Sequence, residues 1–156
     1  ASPDRIRAAA AQFQAAAELL KPHGLKMGYH NHWWEMNRFD GQYGLELFLK
    51  AAPGVFSQCD TYWASNFGQV DVPAFVKKHA KRIPILHVKD GPLVENQPHT
   101  AVGAGKMDFT KVIPAADMKV LQWLVVELDA CATDMMQAVR DSYAYLTGKG
   151  LAQGRK

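Results

Sequence analysis

Apolar residues recur at helical spacing from Ile6 through Ala9, Phe13, Ala16 and Ala17 to Leu20, which predicts an amphipathic first helix. Ser2 is placed to cap it, Pro3 falls at its first position, Asp4 lies in its first turn, and Pro22 and Gly24 end it. In LKMGYHNHWWEM a short apolar start gives way to an aromatic and histidine run. That run is too polar for a core strand and too rich in β-formers for a helix. Residues 25–31 are therefore expected to form a strand whose C-terminal end carries chemistry. A helix around residues 43–51 follows, with Leu45, Phe48 and Leu49 apolar and Pro53-Gly54 as its stop. VFSQCD predicts a second strand and TYWASNFGQV a loop, after which Asp71 and Pro73 open a helix that groups Phe75, Val76 and the stem of His79. IPILHVKD predicts a third strand. GPLVENQPHTAVGAGKM has no periodicity and reads as a long functional loop before a short helix that Asp108 caps. LQWLVVELD predicts a fourth strand, followed by a helix over residues 133–147 that turns Met136, Val139, Tyr143 and Leu146 inward and stops at Gly148.

Strand and helix alternating four times imply an α/β fold of parallel (βα) units with right-handed crossovers. No linker divides the chain, so residues 1–148 are expected to be one domain and 149–156 a tail. Its 156 residues, 48% apolar and 21% charged, are those of an ordinary globular domain. No apolar stretch approaches the roughly 20 residues of a membrane span, and the first residues lack a signal-peptide pattern. Membrane association is not expected. The net charge of +3 sits partly in the terminal GKGLAQGRK, so no basic face for nucleic acid is evident. Cys59 and Cys131 form neither a CxxC nor a dense scaffold, which suggests buried thiols in a reducing compartment, the cytoplasm.

Each predicted strand ends in ionisable residues, in YHNH, QCD, LHVKD and VVELD. In parallel α/β folds ligands bind beyond the carboxyl ends of the strands, so these ends converge. Asp60, His87 and Glu127, with a fourth donor from His30 or Glu35, suit a divalent ion such as Mn²⁺, Mg²⁺, Co²⁺ or Zn²⁺. Taken singly, each has a plainer explanation: an Asp at a strand end often caps a helix, and Glu35 could pair with Arg38. Together they are costly to bury unless paired or bound to metal. Lys89, two residues after His87, shares its strand face and could bind a substrate oxygen or a neighbouring carboxylate. Asp90 suits a turn or helix cap. Trp34 and Trp63, with Trp33 and Tyr62, flank the proposed site, where their flat faces could contact a ligand or pack in the core. Cys59 has the opposite strand parity to Asp60 and is expected under a helix, and His23, His79 and His99 are assigned to surface or loop.

The segments GYHNHWWEM, QCDTYWAS, ILHVKD, AVGAGKMDF and VVELD, in this order over nearly the whole chain, resemble the sugar phosphate isomerase/epimerase family of xylose isomerase-like TIM barrels. The resemblance implies that Asp60, His87 and Glu127 fall on the family's metal ligands. By position His30 matches the family's glutamate on the first of these strands; by residue type Glu35 does. It also implies a small-molecule sugar substrate, and the YHNHxxE pattern points to keto-sugar chemistry.

A divalent ion holding a sugar carbonyl stabilises the enediolate formed when the α-proton leaves. Glu127 and Glu35, or the imidazole of His30 or His32, could remove and return that proton, giving isomerisation or epimerisation. Loss of a β-leaving group would instead make a dehydratase or lyase on 3-keto-glycosides. The chain departs from the family at Lys106, where an acidic residue usually follows the VGxG loop, and in having four strands where a full barrel of about 250 residues has eight. It is thus expected to be the C-terminal half of a (β/α)8 barrel, pairing with a missing half or forming a homo-oligomer. A non-catalytic half-barrel binding or assembly module stays open, as, more remotely, does a metal-dependent nuclease of the endonuclease IV type.

Overall fold

The computed structural model describes residues 2–154. Helix α1 (Pro3–Leu20) begins where Ser2 accepts the Arg5 N–H, as its capping sequence predicts. The chain then runs through β1 (Gly28–His30), the short strands β2 (Arg38–Phe39) and β3 (Gln42–Tyr43), α2 (Gly44–Ala51) and β4 (Phe56–Asp60). After β4 come α3 (Thr61–Ala64), α4 (Val72–His79), β5 (Ile85–Val88), α5 (Phe109–Val112), β6 (Trp123–Val126) and α6 (Met135–Gly148). Strands β1, β4, β5 and β6 form one parallel sheet in that order, with helical crossovers between them. This is the parallel α/β architecture expected from the strand and helix alternation. Of the predicted tail, residues 155–156 lie outside the described residues, as does Ala1 of the predicted domain.

The register divides the sheet into two unlike faces. One carries Ser57, Cys59, Leu86 and Val88, all without exposed surface, beneath the helices. The other carries His30, Phe56, Gln58, Ile85, Trp123 and Val125 and stays partly open. Burial pushes the Cys59 thiol up, so it is an inert core group, as its parity predicts. Gly28 lies opposite Phe56 on β4, where a Cβ would run into the Phe56 ring.

Four local expectations are corrected. The strand predicted over residues 25–31 is confined to Gly28–His30. The predicted loop after β4 opens with α3, because the Asp60 carboxylate accepts the Trp63 N–H at 2.9 Å and caps a turn. Residues 38–43 form an antiparallel ribbon turned by Asp40 and Gly41, both at positive φ, the pair a tight type I′ hairpin requires. Arg38 staples that ribbon, donating to Gly41 O at 3.2 Å and to the Tyr43 hydroxyl at 2.9 Å, and does not pair with Glu35. Finally, α6 turns Ala138, Ser142 and Leu146 inward and leaves Met136, Val139 and Tyr143 exposed. Small residues are needed there because the long loop packs against the helix, with the Val102 N–H donating to Ser142 Oγ at 2.9 Å.

That loop is organised by Asp90, which is fully buried. Its carboxylate accepts the N–H groups of Gly91, Gly103, Gly105 and Met107 at 2.8 to 3.1 Å. A Cβ on Gly105 would collide with this carboxylate, so glycine is required at that close approach. The turn role expected of Asp90 therefore extends over the whole of residues 91–107.

Candidate metal centre

The carboxyl ends of the four parallel strands meet as the sheet topology demands. Asp60 and His87 are register partners on β4 and β5. Extending the β5–β6 register past Val88 and Val126 places Lys89 opposite Glu127. Asn31, fully buried just beyond β1, holds the end of β4. Its Nδ2 donates to Asp60 O at 3.1 Å and its Oδ1 accepts the Asp60 N–H at 3.0 Å. Thr61 Oγ1 donates to His87 O at 2.8 Å and fixes β5 alongside. Backbone anchors thus position the acidic and imidazole groups before those groups touch each other.

His30, Asp60, His87 and Glu127 offer one donor atom each within 4.8 Å of one another. His87 Nδ1 lies 2.5 Å from Glu127 Oε2, and His30 Nε2 lies 3.5 Å from Asp60 Oδ2. Asp60 Oδ2 and His87 Nε2 are both buried without a hydrogen-bond partner. Asp60 Oδ2 faces the Lys89 ammonium at 3.1 Å, whereas a buried His87 Nε2 without a partner is costly unless something binds it. A mixed imidazole and carboxylate set fits a borderline or hard divalent ion, so the residues present fit such a group. The Asp60 carboxylate raises the His30 pKa above its ordinary value, against the opposing effect of burial.

Lys89 is packed into the same cluster and is only 1% exposed. Its Nζ lies 2.9 Å from Asp129 Oδ2, 3.1 Å from Asp60 Oδ2 and 3.4 Å from Glu127 Oε2. Burial pulls its pKa down, but the three carboxylates outweigh burial and hold it above the ordinary lysine value. In turn, burial works to raise the Asp129 carboxyl and Lys89 overcomes it, leaving that group below the usual range. The ammonium also sits 4.9 Å from the centre of the Trp63 ring.

The structure does not bring Glu35 to this cluster, contrary to the expectation that it supplies a ligand. Its buried carboxylate is taken by the Tyr29 hydroxyl and, at 2.9 Å, by the His32 N–H. Glu35 lies in a 3₁₀ turn beyond β1 (Trp34–Met36), and there it ties the turn back to the strand. Burial and Glu35 together push the Tyr29 hydroxyl up. His30 is the first-strand residue that joins the other three donors.

His32 points its chemistry elsewhere. Its ring stacks on Trp34 at 4.3 Å with an 8° interplanar angle. Both line a cleft of about 570 Å³ together with Trp33, Trp63, Phe67, His99 and Asp129. The cleft adjoins the cluster through His32, whose ring is 5.3 Å from that of His30, and through Asp129. Trp34 and Trp63 both line this cleft.

Two residues of the site escaped the sequence reading. Asp129 follows VVEL by one position, and the strand-end logic that found Glu127 extends to it. His99, assigned to a loop, is 3% exposed, with its ring edge-on to Tyr62 and Trp63. Its Nδ1 accepts the Asp129 N–H at 3.2 Å, which places its proton on Nε2, and burial lowers its pKa. No local sequence signal identifies it, because the loop's path alone carries it there. His79 is likewise more than a surface group, its Nε2 lying 3.0 Å from Glu46 Oε1.

Residues 1–147 match the family described as xylose isomerase-like TIM barrel. Among solved structures, a sugar phosphate isomerase/epimerase from Parabacteroides distasonis ATCC 8503 is similar over 97% of this chain, with 27% identity and a TM-score of 0.80. A D-tagatose 3-epimerase-like protein is similar over 92%, with 18% identity and a TM-score of 0.60. A xylose isomerase-like TIM barrel/4-hydroxyphenylpyruvate dioxygenase fusion protein is similar over 93%, with 15% identity and a TM-score of 0.62. The chain spans 55% of the length of each of the first two and 27% of the third. Among curated proteins, none matches the sequence.

Proposed function

The chain belongs to the xylose isomerase-like TIM-barrel family, and on that premise we propose that it carries the metal-binding half of a divalent-metal-dependent isomerase or epimerase acting on a keto-sugar or sugar derivative. The observation that supports this reading is the set of four donors within 4.8 Å, in which the buried His87 Nε2 has no hydrogen-bond partner. His30, Asp60, His87 and Glu127 would hold the ion. When bound, it supplies Lewis-acid polarisation of a substrate carbonyl, which acidifies the neighbouring C–H.

The remaining work belongs to the protein's own groups. Glu127, one-third exposed and bonded to His87 Nδ1, is the carboxylate that would accept a proton from a substrate held against the donor cluster. His32, which lines the cleft and stacks on Trp34, is the imidazole that would return it. Glu35 acts through His32 by holding its backbone N–H, as a positioning residue. The flat faces of Trp34 and Trp63 pack against a sugar ring and keep water from it.

The size of the aromatic cleft favours one second reading. About 570 Å³ gives room for a ring beyond the reacting sugar. A 3-keto-glycoside whose β-substituent departs would use the same base in an elimination.

The test is proton exchange in D₂O, followed by NMR, on a panel of ketoses and 3-keto-glycosides with and without Mn²⁺ or Co²⁺. The expected result is metal-dependent deuterium incorporation next to the carbonyl, lost in Glu127→Gln and retained in Lys106→Ala. Equal exchange in both variants sinks the assignment, and release of a β-substituent selects the elimination reading.

A further inference from the structure

Lys89 stands closer to the donor set than a bystander should. The oxygens it approaches, Asp60 Oδ2 at 3.1 Å and Glu127 Oε2 at 3.4 Å, are those that also face His30 and His87. An ammonium at these distances competes with a divalent ion for the same lone pairs, and the two cations repel each other strongly where water is scarce. Lys89 cannot escape into solvent, being 1% exposed. A second holding place lies beside it: Asp129 Oδ2 at 2.9 Å, outside the four-donor set and half exposed at the cleft, with the Trp63 ring face alongside. The charge balance points the same way. Asp60, Glu127 and Asp129 carry more negative charge than one ammonium offsets, an excess that a dication would balance.

We propose that Lys89 is a resident counter-ion that keeps Asp60 and Glu127 in place before an ion binds and withdraws onto Asp129 and Trp63 when it does. Asp129 then sets metal affinity indirectly, by drawing the ammonium off the ligand oxygens. The inference rests on the metal-dependent reading above and extends it to Lys89 and Asp129, neither of which is among the four donors. It also makes Lys89 a positioning residue whose pairing is exchanged, whereas a plain structural ion pair would keep all three partners.

Calorimetric titration of the chain with Mn²⁺ tests this without any turnover. Removing the competitor in Lys89→Met is expected to tighten Mn²⁺ binding about tenfold or more, and removing its resting place in Asp129→Asn to weaken binding about tenfold, the scale of changes around a metal's ligands. In a Lys89→Met background, Asp129→Asn should change the Kd less than about twofold, because its effect passes through the ammonium. Equal weakening by Asp129→Asn in both backgrounds would show mere loss of a nearby negative charge and overturn the proposal. So would unchanged or weaker binding by folded Lys89→Met. Should Lys89→Met fail to fold, the decision passes to Asp129→Glu, which restores the anion and should bind within about threefold of the parent chain while Asp129→Asn does not. Failure of that rescue, or no loss in Asp129→Asn, also overturns it. A parent chain that binds no divalent ion removes the metal reading itself, whereas metal binding indifferent to both residues removes this inference alone.

Discussion

Asp60 does two jobs with one carboxylate. Oδ1 caps α3 by accepting the Trp63 N–H at 2.9 Å, while Oδ2 faces His30 and Lys89 from a fully buried position. The capping explanation and the metal explanation, alternatives when the sequence stands alone, are compatible in one residue, because the cap uses Oδ1 and leaves Oδ2 in the donor cluster. They separate by substitution. Asp60→Asn keeps an oxygen for the cap but turns an amide donor toward Lys89, so it is expected to fold and to lose divalent-ion binding. Asp60→Ala also surrenders the cap, at a further cost of about 1 kcal/mol. Thermal melts monitored by circular dichroism, read beside Mn²⁺ titrations, check this. An Asn variant that binds like the parent removes Asp60 from the donor set. Lys89, Asp129 and Glu127 belong to this scale as well, since each is defined by contacts of about 3 Å and none by its element.

Among the helices, α2 and α4 are joined by Glu46. It receives the Tyr43 N–H at 3.0 Å as part of the α2 capping box, Lys78 Nζ lies 2.7 Å away, and His79 Nε2 approaches at 3.0 Å. Burial works to raise the Glu46 pKa, but these donors outweigh it and hold the group below its ordinary value of 4.5. A carboxyl lowered on folding stabilises the native state above the unfolded pKa, and that contribution drains away as pH falls through the folded value. Glu46→Gln is therefore expected to cost about 1 kcal/mol near neutrality, modest because Lys78 is largely exposed. The gap between variant and parent should close below about pH 4.5 in urea melts taken across pH. A gap that persists in acid would mean that the hydrogen bonds alone, without the charge, hold the two helices.

Element by element, the caps and strand ends were the legible features. Ser2, Asp71 and Asp108 cap as their positions predict, because the first-turn N–H groups impose a local need that sequence records. Asp40-Gly41 was an available hairpin signal, obscured by strands only two residues long. In α6 the expected inward face holds at Leu146 and fails at Met136, Val139 and Tyr143, which apolarity marks, whereas the close approach of residues 102–103 selects Ala138 and Ser142. Glu35 was misplaced for a related reason: residue type recommended it as a ligand, but a turn beyond β1 gave its carboxylate to Tyr29 and the His32 N–H. His99 required the path of a long aperiodic loop, which no short-range rule supplies.

At the scale of the whole molecule, the sheet has one buried face and one open face, and β1 and β6 each have a single neighbouring strand. Beyond the donor cluster, the open face becomes a hollow of about 510 Å³ that Phe56, Ile85 and Trp123 help to line. Trp123 is 60% exposed there, and Met136, Val139 and Tyr143 add an apolar stripe on α6. Surfaces of this kind on a free strand edge promote association, because they join unpaired backbone groups to apolar area that water disfavours. The solved structures that this chain half-spans have further chain beyond the matched portion. Prepared by itself, the chain is expected to self-associate with increasing concentration and to bind an apolar dye. Trp123→Lys places a charge at the centre of that surface, so it should raise the concentration needed for association severalfold and reduce dye fluorescence, with the Mn²⁺ affinity unchanged because the four donors lie at the far ends of the strands. Sedimentation velocity across a concentration series, with the dye titration beside it, reads both effects. Association undiminished in Trp123→Lys would place the contact away from the open sheet face and leave the α6 stripe as the surface to alter next.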